Sequence, residues 1–160
     1  MSAEQRLKEL GLELPTASKP AGNYASAARS GDLLFLSGKA ALAIDGTPPK
    51  GRLGREYSSA DGYALARSAC TDLLAVIRSE LGSLDSVARV VELHGSLNTV
   101  PEFEEHAKVL DGASDLLVAI FGSAGLHARS VVGVSSLRNG VPLTLKAIVE
   151  VKREHPGDKP

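Results

Sequence analysis

Tryptophan is absent from this 160-residue chain, and Phe and Tyr number three each, so aromatic residues make up only 4% of it. That leaves little flat surface on which nucleobases could stack. An excess of one charge is missing too. Eighteen Lys plus Arg against 19 Asp plus Glu give a formal net charge of −1, without the basic surplus that a nucleic-acid binder presents to phosphates. A single cysteine, Cys70, excludes an intrachain disulfide framework and a multi-thiolate metal site. No run approaches the ~18 consecutive apolar residues of a bilayer span. Residues 1–10 are charged and lack the apolar core of a secretory signal. What is present, 43% apolar and 23% charged residues, reads as one cytoplasmic globular domain over 1–160, long enough to bury a core. Glycine, 16 of 160, is in excess and points to tight turns or close backbone approaches.

Residues 1–17 look peripheral, with a short helix over 4–10 that Gly11 and Pro15 stop. The apolar run Leu33-Leu34-Phe35-Leu36, between Gly31 and Gly38, predicts a buried strand. Residues 44–57 hold Asp45-Gly46, Pro48-Pro49, Gly51 and Gly54 and read as a loop. Its cations Lys50, Arg52 and Arg55 suit either a solvated loop or a lid over an anion. The clearest helix spans 61–81, with Ala66, Cys70, Leu73, Ile77 and Leu81 on one stripe. Ser58 with Asp61 has capping-box spacing, and Gly82 fits the stop. Val87 to Leu93 reads as a strand. A second helix is expected from Thr99-Val100-Pro101-Glu102, with a stripe of Phe103, Ala107, Leu110, Leu117 and Phe121 and a stop at Gly122 to Gly125. Gly112, costing about 1 kcal/mol relative to Ala inside a helix, marks a kink or a close contact.

The last third alternates. Leu143, Leu145, Ala147, Val149 and Val151 point one way, and Thr144, Lys146, Ile148 and Glu150 the other. Ser130 to Leu137 reads as its hairpin partner across Arg138-Asn139-Gly140, and the charged tail 152–160 is expected to fray. Together these elements predict an α+β layer, a mostly antiparallel sheet with two helices on one face. The chain offers no third layer for the other face, so self-association is expected to cover it.

His94, His106, His127 and His155 are too dispersed for a metal site, and no metal is expected. Cys70, on the apolar stripe, reads as a buried structural thiol. There is no GxSxG, Walker or Rossmann fingerprint. One cluster stands out: His127-Ala128-Arg129-Ser130, entering a strand directly after the glycine-rich stop. Arg129 can present its rigid fork to a carboxylate, and His127 shares its parity. By pattern alone, a structural ion pair and a ligand-binding fork fit Arg129 equally.

Three segments carry a family resemblance. Gly22-Asn23-Tyr24-Ala25-Ser26-Ala27 is similar to a G-P-Y-S-Q-A segment. Leu33 to Lys39 (LLFLSGK) resembles a strand ending in L-S-G-Q, and His127 to Leu137 (HARSVVGVSSL) an A-R-S-x-V-x-V-x-x-L signature. In this order they resemble the RidA/YjgF family, also labelled endoribonuclease L-PSP, over residues 18–151. The run Val109 to Phe121 is closer to a longer-chain branch of it. The resemblance implies a chorismate-mutase-like α+β fold, a homotrimer with sites in clefts between subunits, and hydrolysis of reactive enamines or imines to 2-keto acids and ammonia without a cofactor. It implies that Arg129 binds the substrate carboxylate, with Tyr24, Ser37 and Gly38 at the polar end. Thr144 stands where the deaminases carry Glu, Lys146 where acid is again frequent, Val131 where many have Cys, and Lys39 where Gln is usual. His127 is a candidate to take over the proton role. The resulting expectation is a deaminase or, alternatively, a non-catalytic carboxylate-binding trimer. A purely structural trimer, with Arg129 in an interface ion pair, is a further alternative. Ribonuclease activity fits the charge and aromatic content poorly, and neither nucleic acid nor membrane is an expected partner.

Overall fold

A computed structural model describes residues 1–154 of the chain. Three helices, α1 (Ala3–Glu9), α2 (Ser59–Leu81) and α3 (His106–Phe121), accompany five strands, β1 (Ala27–Ser30), β2 (Leu33–Ala40), β3 (Val87–Asn98), β4 (Ala128–Val134) and β5 (Leu143–Val151). The strands form one sheet in the order β1-β2-β5-β3-β4, antiparallel throughout except for the parallel pair β3–β4. This is the expected α+β layer.

Local chemistry sets the helix ends. The Ser58 hydroxyl accepts from the Asp61 amide while the Asp61 carboxylate accepts from the Ser58 amide, a reciprocal capping box that starts α2. Gly82, at φ 81°, closes it in the left-handed conformation. Ala66, Cys70, Leu73 and Ile77 are all buried, as their stripe predicts. Gly112 serves a close approach: a Cβ there would lie 2.0 Å from the Tyr63 carbonyl oxygen, so its absence lets α3 cross α2 backbone against backbone. Gly95 does the same under α3, where a Cβ would meet Leu110 Cδ1 at 2.9 Å.

Four expectations need correction. The second helix starts at His106, not near Thr99. Thr99 donates its amide to Val134 and Val100 donates to Leu53, so these residues extend the sheet and the Thr99–Glu102 capping box does not form. Phe103 therefore precedes the helix, and Ala107 is exposed. The strand after Arg129 does not form a hairpin with β5, because β3 lies between them. Asn139 still turns the chain, at φ 57°. The loop 44–57 is neither simply solvated nor free: Leu53 is fully buried and its amide donates to the Asn98 carbonyl at 2.8 Å. The N-terminal helix is built into the body rather than lying on its periphery. Leu7 is 2% exposed, and the Glu4 carboxylate takes both the Arg78 guanidinium and the Leu84 amide.

Of the tail expected to fray, residues 155–160 lie outside the described part. In the rest, Lys152 donates its amide to Ser86 and Arg153 pairs with Asp32. No helix among the described residues is long and apolar enough to cross a membrane.

Candidate functional site

The register divides the sheet's side chains cleanly. Leu36, Ala147, Leu93 and Arg129 form one row across β2, β5, β3 and β4, directed at the helices. The neighbouring row faces away from them. There Lys146 stands opposite His94, and His94 opposite Ser130. On β2, Leu36 pairs with Ala147 and Lys39 with Leu145, so Ser37 and Gly38 together oppose Lys146 in a β-bulge. The next row outward brings Thr144, Ser96 and Val132 together.

Gly38, His94, Ser96, Thr144, Leu145 and Lys146 line a cavity of about 200 Å³ on this uncovered face. The bulge matters for its shape. A Cβ on Gly38 would sit 4.0 Å from Thr144 Cβ and 3.9 Å from the Leu145 carbonyl, pointing toward β5. His94 Nδ1 lies 2.6 Å from Ser130 Oγ and its Nε2 3.3 Å from Ser96 Oγ. Lys146 is exposed and meets no acceptor or carboxylate among the described residues. Phe35 and Val132, 42% and 44% exposed, flank the polar row with apolar surface.

The residues singled out in the sequence fall into three places. Tyr24 and Ser37 are not among the residues that line the pocket: the Ser37 hydroxyl, next to Gly38 on β2, donates to the Ala25 carbonyl at 2.7 Å, and the exposed Tyr24 accepts at its hydroxyl from the Ala21 amide at 3.3 Å. Gly38 and Thr144 lie in the pocket itself. Arg129 lies on the helix side of β4. Its Nη1 donates to Asp111 Oδ1 at 2.8 Å and to Ser114 Oγ at 3.1 Å, and its Nη2 to the Ala107 carbonyl at 3.3 Å. No acceptor among the described residues meets Nε. Within one protomer β5 and β3 stand between β2 and β4, roughly 14 Å at a strand spacing of about 4.8 Å. Arg129 and Gly38 are therefore not brought together by one chain.

His127 is a structural bridge. Its Nδ1 lies 2.6 Å from the Gly125 carbonyl and its Nε2 2.9 Å from Ser114 Oγ, tying the glycine-rich turn to α3. Cys70 is fully buried, and burial pushes its thiol up to about 12, which keeps it from acting as a nucleophile. Lys39 is buried and donates to Ser18 Oγ at 2.8 Å, while that hydroxyl donates to Asp72 at 2.7 Å. This relay fastens the segment before β1 to α2. Sequence reasoning gave no site role to His94, Ser96 or Ser130. Their signal was parity, since His94 and Ser96 share a face of one strand, but pairing them with Ser130 and Lys146 required the register.

These features define a layered α+β protein with helices on one sheet face and a small polar, cationic pocket on the other. Residues 4–149 match the family described as "YjgF/chorismate mutase-like, putative endoribonuclease", and the chain belongs to that family. It is 39% identical to Protein TCP17 of Trypanosoma cruzi over 146 residues, covering 91% of each chain. A crystal structure of a "putative endoribonuclease" from Shewanella oneidensis is 33% identical, with a TM-score of 0.90 over 94% of this chain and 100% of that one. E. coli TdcF with bound serine, 20% identical, shares the fold with a TM-score of 0.59 over 86% of this chain and 94% of that one.

Proposed function

We propose that the protein is a RidA-like homotrimer whose inter-subunit clefts bind a small carboxylate and hydrolyse reactive enamines or imines to 2-keto acids and ammonia. The observation that carries this reading is the uncovered pocket lined by Gly38, Thr144, Lys146 and His94, with Arg129 two intervening strands away on the sheet's edge. A small acid cannot span that distance inside one protomer. The edge strand β4 of one copy, laid against the β2 side of the next, supplies both halves and covers Phe35 and Val132. In TdcF, a more distant relative, a small amino acid is bound, in keeping with a ligand of this size.

The chemistry asks little of the protein. An imine carbon is already electrophilic, so orientation, exclusion of bulk water and delivery of one water molecule suffice, with no cofactor in the scheme. Arg129 offers Nε, and Lys146 a second positive charge, to the carboxylate, with Tyr24, Ser37 and the Gly38 backbone at the polar end and Thr144 near the attacking water. The reading places the protein in the cytoplasm, with neither nucleic acid nor membrane as a partner. A second reading, a non-catalytic carboxylate-binding trimer, is favoured by the pocket's lining, in which Thr144 and Lys146 stand and no carboxylate does.

The test is a coupled assay in which an amino-acid oxidase generates 2-imino acids in situ, with wild type and Arg129→Lys compared at confirmed assembly mass. Wild type is expected to accelerate imine loss and Arg129→Lys to lose most of that acceleration, because a point charge does not replace the fork. No acceleration on any substrate, with 2-keto acids still binding by calorimetry, would replace the enzyme by the binding protein.

A further inference from the structure

We infer that His94 is the proton-transfer residue of the uncovered pocket, an assignment that rests on the imine-hydrolysis reading above. The positions where the family's deaminases carry acid hold Thr144 and Lys146, and neither offers a carboxylate. His94 lies in the same pocket, directly opposite Lys146 in the register.

Its surroundings suit a group that changes protonation state. Both ring nitrogens face hydroxyls, Ser130 Oγ at 2.6 Å and Ser96 Oγ at 3.3 Å. A hydroxyl can donate or accept by rotating, so imidazole and imidazolium are both accommodated without moving a heavy atom. His127 is the contrast. The Gly125 carbonyl beside its Nδ1 can only accept, which fixes that nitrogen as the donor and leaves Nε2 to accept from Ser114. A ring held so keeps one tautomer. The charged groups facing His94 are Lys146 from β5 and Glu92 two residues back on β3, while β4 contributes the uncharged Ala128, Ser130 and Val132.

Water oxygen bonds to the carbon of a protonated imine as one water proton passes to the His94 ring, and the C=N π electrons settle on nitrogen. The imidazolium returns that proton to the amine nitrogen. The carbinolamine C–N bond then breaks, its hydroxyl proton passes to His94, and a ketone and ammonia leave. The ring's proton goes on to ammonia. The sum is imine cation plus water giving ketone plus ammonium, with His94 regenerated.

The test measures kcat and KM against pH in the imine assay for wild type, His94→Gln and Ser130→Ala, with assembly mass and melting temperature checked for each. Gln keeps hydrogen-bonding capacity but does not titrate in this range. The expected result is a fall in kcat of about 10²-fold or more, KM within a few-fold of wild type, and loss of the acidic limb of the wild-type kcat profile. If His94→Gln does not assemble, Ser130→Ala decides: a displaced acidic limb supports the assignment and an unmoved one overturns it. Wild-type kcat and an unchanged profile in an assembled His94→Gln would overturn this inference alone. A wild type inactive on every imine would overturn the function reading, and this assignment with it.

Discussion

The two faces of the sheet use the same alternation for opposite ends. Toward the helices, Leu34, Leu93, Leu97, Leu143 and Leu145 are almost completely buried and fix the fold. Away from them, Lys146, His94, Ser96, Thr144 and Ser130 stay in contact with solvent. Arg129 is the exception that joins the two: it belongs by register to the apolar face, yet on the edge strand its guanidinium reaches past the core to Asp111. One face is settled within a protomer. The other is left incomplete, and in the proposed reading a second copy completes it.

The contrast can be broken first by truncation. Leu97→Ala, on the helix face, is expected to cost 2–5 kcal/mol, of the order found for buried leucines, read by urea unfolding. Val132→Ser, on the uncovered face, is expected to change unfolding by no more than about 0.5 kcal/mol while raising the concentration at which the assembly dissociates, read by light scattering. Equal unfolding costs would erase the distinction. At Arg129, Asp111→Asn should release the fork and tighten 2-keto acid binding about tenfold, ~1.4 kcal/mol, in a calorimetric titration. Weaker binding would mean that Asp111 orients the fork instead.

An effect confined to stability is expected at the N-terminal helix. Burial alone would raise the Glu4 carboxyl, but hydrogen bonds from Arg78, Leu84 and Ser83, with the Arg78 charge, hold it below its ordinary value of 4.5. A lowered folded value gives stability that is complete above the unfolded value and disappears as pH falls through the folded one. Glu4→Gln should therefore lose about 1 kcal/mol at pH 7, with the gap to wild type closing below pH 4.5. A gap independent of pH would assign the loss to packing.

Where local chemistry decides the structure, the sequence was legible. The Ser58–Asp61 box, the Gly82 stop and the stripe from Ala66 to Ile77 each name their own element. Partners chosen at long range were not legible. Ser130 to Leu137 and β5 both read as strands, but nothing nearby says that β3 lies between them. Thr99 carries helix-start spacing and is captured instead by Val134 and the Leu53 strand bridge. The family motifs led to Gly38, Thr144 and Arg129, while the Arg129–Asp111 contact, 18 residues apart, left no pattern. His94 looked like any polar residue on a half-exposed strand until the register set it between Ser130 and Lys146.

The claim that the site is shared between copies is tested most directly by mixing two defective variants. Arg129→Ala lacks the edge half of the cleft and Gly38→Val the pocket half. Each alone should be inactive in the imine assay. Co-refolded in equal amounts, they should recover about a quarter of wild-type activity, the fraction of clefts that draw an intact half from each partner in a closed ring. No recovery in mixed assemblies of wild-type mass would contradict a site built between subunits.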